Sequence, residues 1–162
     1  MAEQSRPTAL LERVLERPFE FREQPVPTPA EYRPMWRTAL VVLLVGACRG
    51  RRASWHQLHV LNWACRSRAN QDAFERLKAG EARLGDAVVR YDPALDRAID
   101  LALYDGLLER RSGDALGLAP RGLAALSELQ SADVFIGEEE FLARVSPVTQ
   151  TFVDSLVPRR AR

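Results

Sequence analysis

The chain has 162 residues, of which 46% are hydrophobic and 28% charged, enough for one well-buried core with appendages. Its 23 Lys and Arg side chains face 22 Asp and Glu, a formal net charge of +1, so attraction to nucleic acid or to an anionic membrane has to come from local patches. That balance argues against a dedicated nonspecific DNA binder. The two cysteines, Cys48 and Cys65, lack CxxC spacing and sit in apolar helical contexts, which predicts reduced core thiols and a cytoplasmic setting. No basic region followed by an apolar run opens the chain, and the apolar stretch Ala39 to Cys48 is about half the ~20 residues of a membrane span.

From Thr8 to Arg17, the stripe Leu10, Leu11, Val14 and Leu15 predicts a short helix, too short to stand alone, which packs on the main domain or docks to a partner. The segment Pro18 to Pro34 carries Pro25, Pro27 and Pro29 and reads as an extended arm. A capping-box pattern at Thr28-Pro29-Ala30-Glu31 precedes the first long helix, Trp36 to Cys48. After the basic loop Arg49-Gly50-Arg51-Arg52, Ser54-Trp55-His56-Gln57 is a second capping box, opening a helix to Arg66 with Leu58, Leu61 and Cys65 inward. Asn70 is the candidate cap of a further helix with Phe74 and Leu77 inside, ending near Gly80. Val88 to Tyr91 is a candidate strand.

The stretch from Asp92 to Leu129 organises the rest. Asp92 caps, Pro93 sits at the first helical position, and Leu95, Ile99, Ala102 and Leu103 share a face. Gly106 ends that helix, Leu107 to Arg110 alternates as a strand, Ser112-Gly113-Asp114 supplies a turn, and Leu116-Gly117-Leu118 returns. Pro120 opens the next helix, with Leu123, Leu126 and Leu129 predicted inward. This order resembles the recognition helix, wing and following helix of MarR-type and other winged-helix regulators. The resemblance implies a mostly α, winged helix-turn-helix fold with a short β-hairpin wing over residues 35–130, an N-terminal helix and Pro-rich arm over 1–34, and a helical extension over 131–162. In that extension Glu138-Glu139-Glu140 precedes Phe141, Leu142 and Val145, and Ser146-Pro147 is expected to restart a helix with Val148, Phe152, Val153 and Leu156 inside.

The helix in the recognition position carries Asp92, Asp96, Asp100 and Asp105 against Arg97 alone, which would repel a major groove, where readers present Arg, Lys, Asn or Gln. Asp92, Asp96 and Asp100 are therefore candidate partner-binding residues, together with Leu10, Leu11 and Val14 of the first helix and the tryptophans Trp55 and Trp63. The alternative for the acidic face is plain solvation. Arg51, Arg52, Arg110 and Arg111 are candidate phosphate contacts for weak, salt-sensitive binding of nucleic acid. His56 and His59 form an H-x-x-H pair without a third ligand at metal spacing, so no metal and no cofactor are expected. No nucleophile elbow, Walker loop or dinucleotide glycine pattern is present, which argues against an enzyme.

Leu58 to Ser67, followed by Asp92 to Asp100, is similar to the small middle components of bacterial ABC-three-component systems. That similarity implies a non-catalytic adaptor or regulatory subunit in antiphage defence, with an SMC-like ABC ATPase and an effector subunit as protein partners and no membrane. A DNA-binding transcription regulator is the alternative that the winged-helix resemblance allows.

Overall fold

A helix that is apolar nearly all round has to be wrapped by others. In the computed structural model, which describes residue 29, residues 33–82 and residues 91–156, that helix is α1 (Pro34–Ala47). Leu40 to Val45 are each at most 4% exposed, and α1 touches most of the remaining elements. Pro34 in its first turn fixes the start, two residues before the expected one, because proline is pre-organised there and needs no donor.

A 3-10 turn at Arg49–Arg51 leads to β1 (Arg52–Ala53) and then to α2 (Trp55–Cys65). Ser54 caps α2 as its sequence predicts: its side chain accepts from the Gln57 N–H while Gln57 Oε1 accepts from the Ser54 N–H at 2.8 Å. The next helix, α3 (Arg68–Ala79), is capped by Ser67, not by Asn70, whose side-chain amide instead donates to the Trp63 carbonyl at 2.7 Å. Phe74 and Leu77 point inward as expected.

Then come α4 (Pro93–Tyr104), β2 (Leu108–Arg110), β3 (Leu116–Leu118) and α5 (Pro120–Ser131). Asp92 caps α4 by accepting the Ala94 N–H. At its other end Gly106, with φ of 67°, takes the left-handed position: its N–H goes to Leu103 and that of Leu107 to Ala102, closing the helix and launching β2. The hairpin is antiparallel, pairing Leu108 with Leu118 and Arg110 with Leu116. The third strand is β1, which pairs Arg52 with Gly117 and Ala53 with Leu116, giving the order β1-β3-β2. The strand expected at Val88 to Tyr91 falls mostly outside the described residues; Tyr91 itself is not in a strand, and the edge of β3 is taken by residues before α2.

On α5 only Leu126 of the three predicted leucines is buried; Leu129 is half-buried and Leu123 is 38% exposed. What draws α5 close is Gly122, where a Cβ would stand 2.0 Å from the Leu107 carbonyl oxygen. The last two described helices, α6 (Ile136–Val145) and α7 (Gln150–Leu156), bury Phe141, Leu142, Val145, Val153 and Leu156 in the same core as α1. Helix α7 begins at Gln150, not at Ser146-Pro147, because Val148 is stitched into the fold: it bridges Cys48 and its carbonyl accepts from Gln57 Nε2 at 3.2 Å. The molecule is thus mostly helical with one small antiparallel sheet. No helix among the described residues is long and apolar enough to cross a membrane.

Candidate functional site

The surface around the start of α4 is organised from below by two buried polar groups. One is Asp92. Its Oδ2 accepts from Arg37 Nη1 of α1 at 2.6 Å and from Arg66 Nη2, just after α2, at 2.7 Å, while Oδ1 accepts from the Ala94 N–H at 3.0 Å. Burial by itself would raise this carboxyl, but the Arg37 hydrogen bond, the Ala94 N–H and the charges of Arg37 and Arg66 outweigh it and hold it below the usual carboxylate range. Asp92 is 8% exposed. The expectation that it faces a partner is therefore corrected: it locks α1, α2 and α4 together.

The other is His59, fully buried on α2. Its Nδ1 accepts from the Asp92 backbone N–H at 3.2 Å, which requires the tautomer with hydrogen on Nε2, and Nε2 donates to Asp96 Oδ1 at 2.9 Å. Burial lowers the pKa of this ring, against the pull of Asp96 and Asp92. Both ring nitrogens are engaged, so the H-x-x-H spacing of His56 and His59 does not present a paired donor set. Among the described residues no three His, Cys, Asp or Glu gather to hold an ion.

Asp96 Oδ1 also accepts from the Trp55 indole N–H at 2.7 Å. The carboxylate expected on the partner-binding face is thus a half-exposed acceptor for α2, holding Trp55 over the His59 ring at 3.9 Å between centroids. Tyr91 packs against both rings, 5.0 Å from Trp55 at 20° between planes and 5.0 Å from His59 edge-on. Trp55 and Tyr91 remain 38% and 41% exposed, whereas Trp63 is buried among the core residues and is no surface anchor.

What α4 shows to solvent is a stripe of Pro93, Arg97, Asp100 and Tyr104, spaced four, three and four residues apart, with Tyr104 89% exposed. Of the residues singled out in sequence, the structure brings Trp55, Asp96 and Asp100 to this end of the molecule, with Asp92 beneath them. Leu10, Leu11 and Val14 lie outside the described residues. Sequence reasoning missed Arg37, Arg66 and Tyr91, whose roles depend on pairing across 55, 26 and 36 positions. The one local hint was Arg37, a charge inside an otherwise apolar helix.

The basic candidates gather at the other end of the sheet. Arg52, on β1, reaches Ser112 Oγ of the wing at 3.5 Å, next to Arg51. Arg110 is exposed, and Arg111 forms an ion pair with Glu109 while its stem lies over Gly117. Both cysteines are pushed up to about 12, Cys48 by burial and Cys65 by burial followed by the charge of Glu138, and neither is a thiolate at neutral pH.

Neither a known family, nor a curated protein, nor a solved structure matches the chain.

Proposed function

We propose that this chain is a non-catalytic winged-helix adaptor that docks a protein partner on the exposed face of α4. The winged-helix reading rests on the strand order β1-β3-β2, on β1 preceding α2, and on a hairpin that follows α4 at once, which gives α4 the position of a recognition helix and makes α3 an insertion. The observation that carries the docking reading is the chemistry of that face. Tyr104 is exposed one turn from Asp100 at the end of α4, and Trp55 and Tyr91 are exposed by Asp96 near its start, with Arg97 the one cation of the helix. Exposed aromatic side chains beside one aspartate and one arginine suit a protein surface, whereas a phosphate backbone needs an excess of cations there.

The similarity of Leu58 to Ser67 and Asp92 to Asp100 to middle components of ABC-three-component systems makes an SMC-like ABC ATPase and its effector the first partners to try. A DNA-binding regulator is the second reading. It is favoured by one observation, the meeting of Arg51 and Arg52 with the wing that bears Arg110 and Arg111.

The test is co-purification with the products of the neighbouring genes, set beside titration of random-sequence duplex DNA. Tyr104→Glu and Asp100→Arg should abolish a complex that survives Arg52→Ala and Arg110→Ala. A duplex complex that is tight at physiological salt, lost with the arginine variants and indifferent to the α4 variants, would select the regulator instead.

A further inference from the structure

The exposed residues of α4 are spaced the same way from either end of their stripe. Pro93, Arg97, Asp100 and Tyr104 fall within about 60° of one another, at the roughly 100° per residue of an α-helix. Their spacings of four, three and four are symmetric about the point between Ala98 and Ile99. A second copy laid antiparallel across that point puts Arg97 of each against Asp100 of the other, and Pro93 of each against Tyr104 of the other. This is the isologous contact of a two-fold axis. A parallel pair in register would put arginine on arginine and aspartate on aspartate, so charge selects the antiparallel arrangement.

Both charges are open to such a partner. Among the described residues the side chains of Arg97 and Asp100 form no ion pair, with each other or with a neighbour, although they stand one turn apart on one exposed face. Tyr104, 89% exposed, is the most exposed large apolar side chain described, and tyrosine is among the residues that most often carry interface energy. Beside the stripe an apolar groove of about 360 Å³ runs between the start of α1 and α4, with Pro34, Ala94, Ala98 and Leu101 in its walls. The antiparallel pairing brings Tyr104 of the other copy to Pro93, next to the Ala94 end of that groove. We infer that a second copy of this chain is what the α4 stripe binds when the chain is alone, in a two-fold dimer held by two Arg97–Asp100 contacts and anchored by two Tyr104 rings. This rests on the reading of α4 as a protein-docking face, and a product of a neighbouring gene that docks there displaces the second copy. One helix face buries less than the ~1,200 Å² of a stable complex, so the dimer is weak and exchanges readily.

The experiment is sedimentation velocity of the full chain at about 5 to 500 µM, since contacts of this size are weak. The mass should rise from 18.2 kDa toward twice that value. Arg97→Asp sets aspartate against aspartate at both contacts, and Asp100→Arg sets arginine against arginine, so each should weaken the dimer about tenfold or more. Mixed in equal amounts, the two variants regain both opposite-charge contacts and should form a heterodimer as tight as the parent, which also shows that each is folded. Tyr104→Ala should weaken the dimer about tenfold with the charges intact. A parent that stays monomeric at the highest concentration overturns the proposal. So does a dimer that either charge variant leaves intact, or a mixture of the two variants that stays monomeric. If a monomeric parent still captures a neighbouring gene's product, and Asp100→Arg abolishes that capture, the docking reading stands and the self-pairing alone fails.

Discussion

At the residue scale, the decisive pair is His59 with Asp92, because each is buried and each holds a specific protonation state. His59 accepts an N–H at Nδ1, and a proton there would oppose the Asp92 amide in a fully buried position. The unfolded chain takes up that proton near the ordinary value of 6.5, the folded chain only lower. Stability is therefore whole above pH 6.5 and falls as the pH drops below it, with a slope of at most about 1.4 kcal/mol per pH unit. Urea melts at about pH 7.5 and 5.5 should show this loss, and His59→Gln, less stable at the higher pH, should show less of it. The carboxyl of Asp92, lowered by its arginines, adds a second loss that begins only below its ordinary 3.8. Asp92→Asn leaves Arg37 buried without its counter-charge, and should cost about 3 kcal/mol or more in the same melts. An unchanged midpoint would mean that the triad contributes nothing net. None of these roles is written locally: Asp92 was legible as an N-cap, but a cap is normally exposed, and only the approach of Arg37 and Arg66 makes it a buried pair.

At the element scale, α4 shows how far helical periodicity reaches. Leu95, Ile99 and Ala102 face inward as their spacing demands, and the cap at Asp92 and stop at Gly106 stand where the sequence puts them. Periodicity assigned the rest of the helix to solvent, and there it misled, since Asp96 is drawn in by Trp55 and His59 of α2. The two aspartates should consequently part company. Asp100→Lys should leave stability within about 0.5 kcal/mol, the range for exposed positions. Asp96→Lys, which strips the acceptor from a buried imidazole, should cost about 1–3 kcal/mol by chemical denaturation. The sheet carries the same lesson: the two-residue strand Arg52–Ala53 is too short for any pattern and exists because β3 offers an edge. Gly122 is the tightest point of the hairpin–α5 junction. Gly122→Ala must push α5 off Leu107 and should lower stability by about 1–3 kcal/mol, with the largest amide-shift changes in β2 and α5.

At the scale of the whole molecule, one core runs from α1 through the sheet to α6 and α7, so the helices that sequence reading set apart as an extension share their burial with the rest. Their apolar positions were legible, but their place against α1 was not, because it is fixed by Val148 pairing with Cys48 far along the chain. The consequence for function is a shared core that presents one face of α4 to solvent. Its exposed stripe, Arg97, Asp100 and Tyr104, is balanced in charge and rich in contact surface. The claim that this stripe meets a protein is tested most directly by placing a photo-crosslinking amino acid at position 104 in the producing cell, with position 72 on the exposed side of α3 as control. The account predicts an adduct at 104 with one protein that is absent at 72, is lost when Asp100→Arg is added, and re-forms when that protein is purified and mixed with the chain. An adduct with nucleic acid at 104, or the same products from both positions, would contradict it.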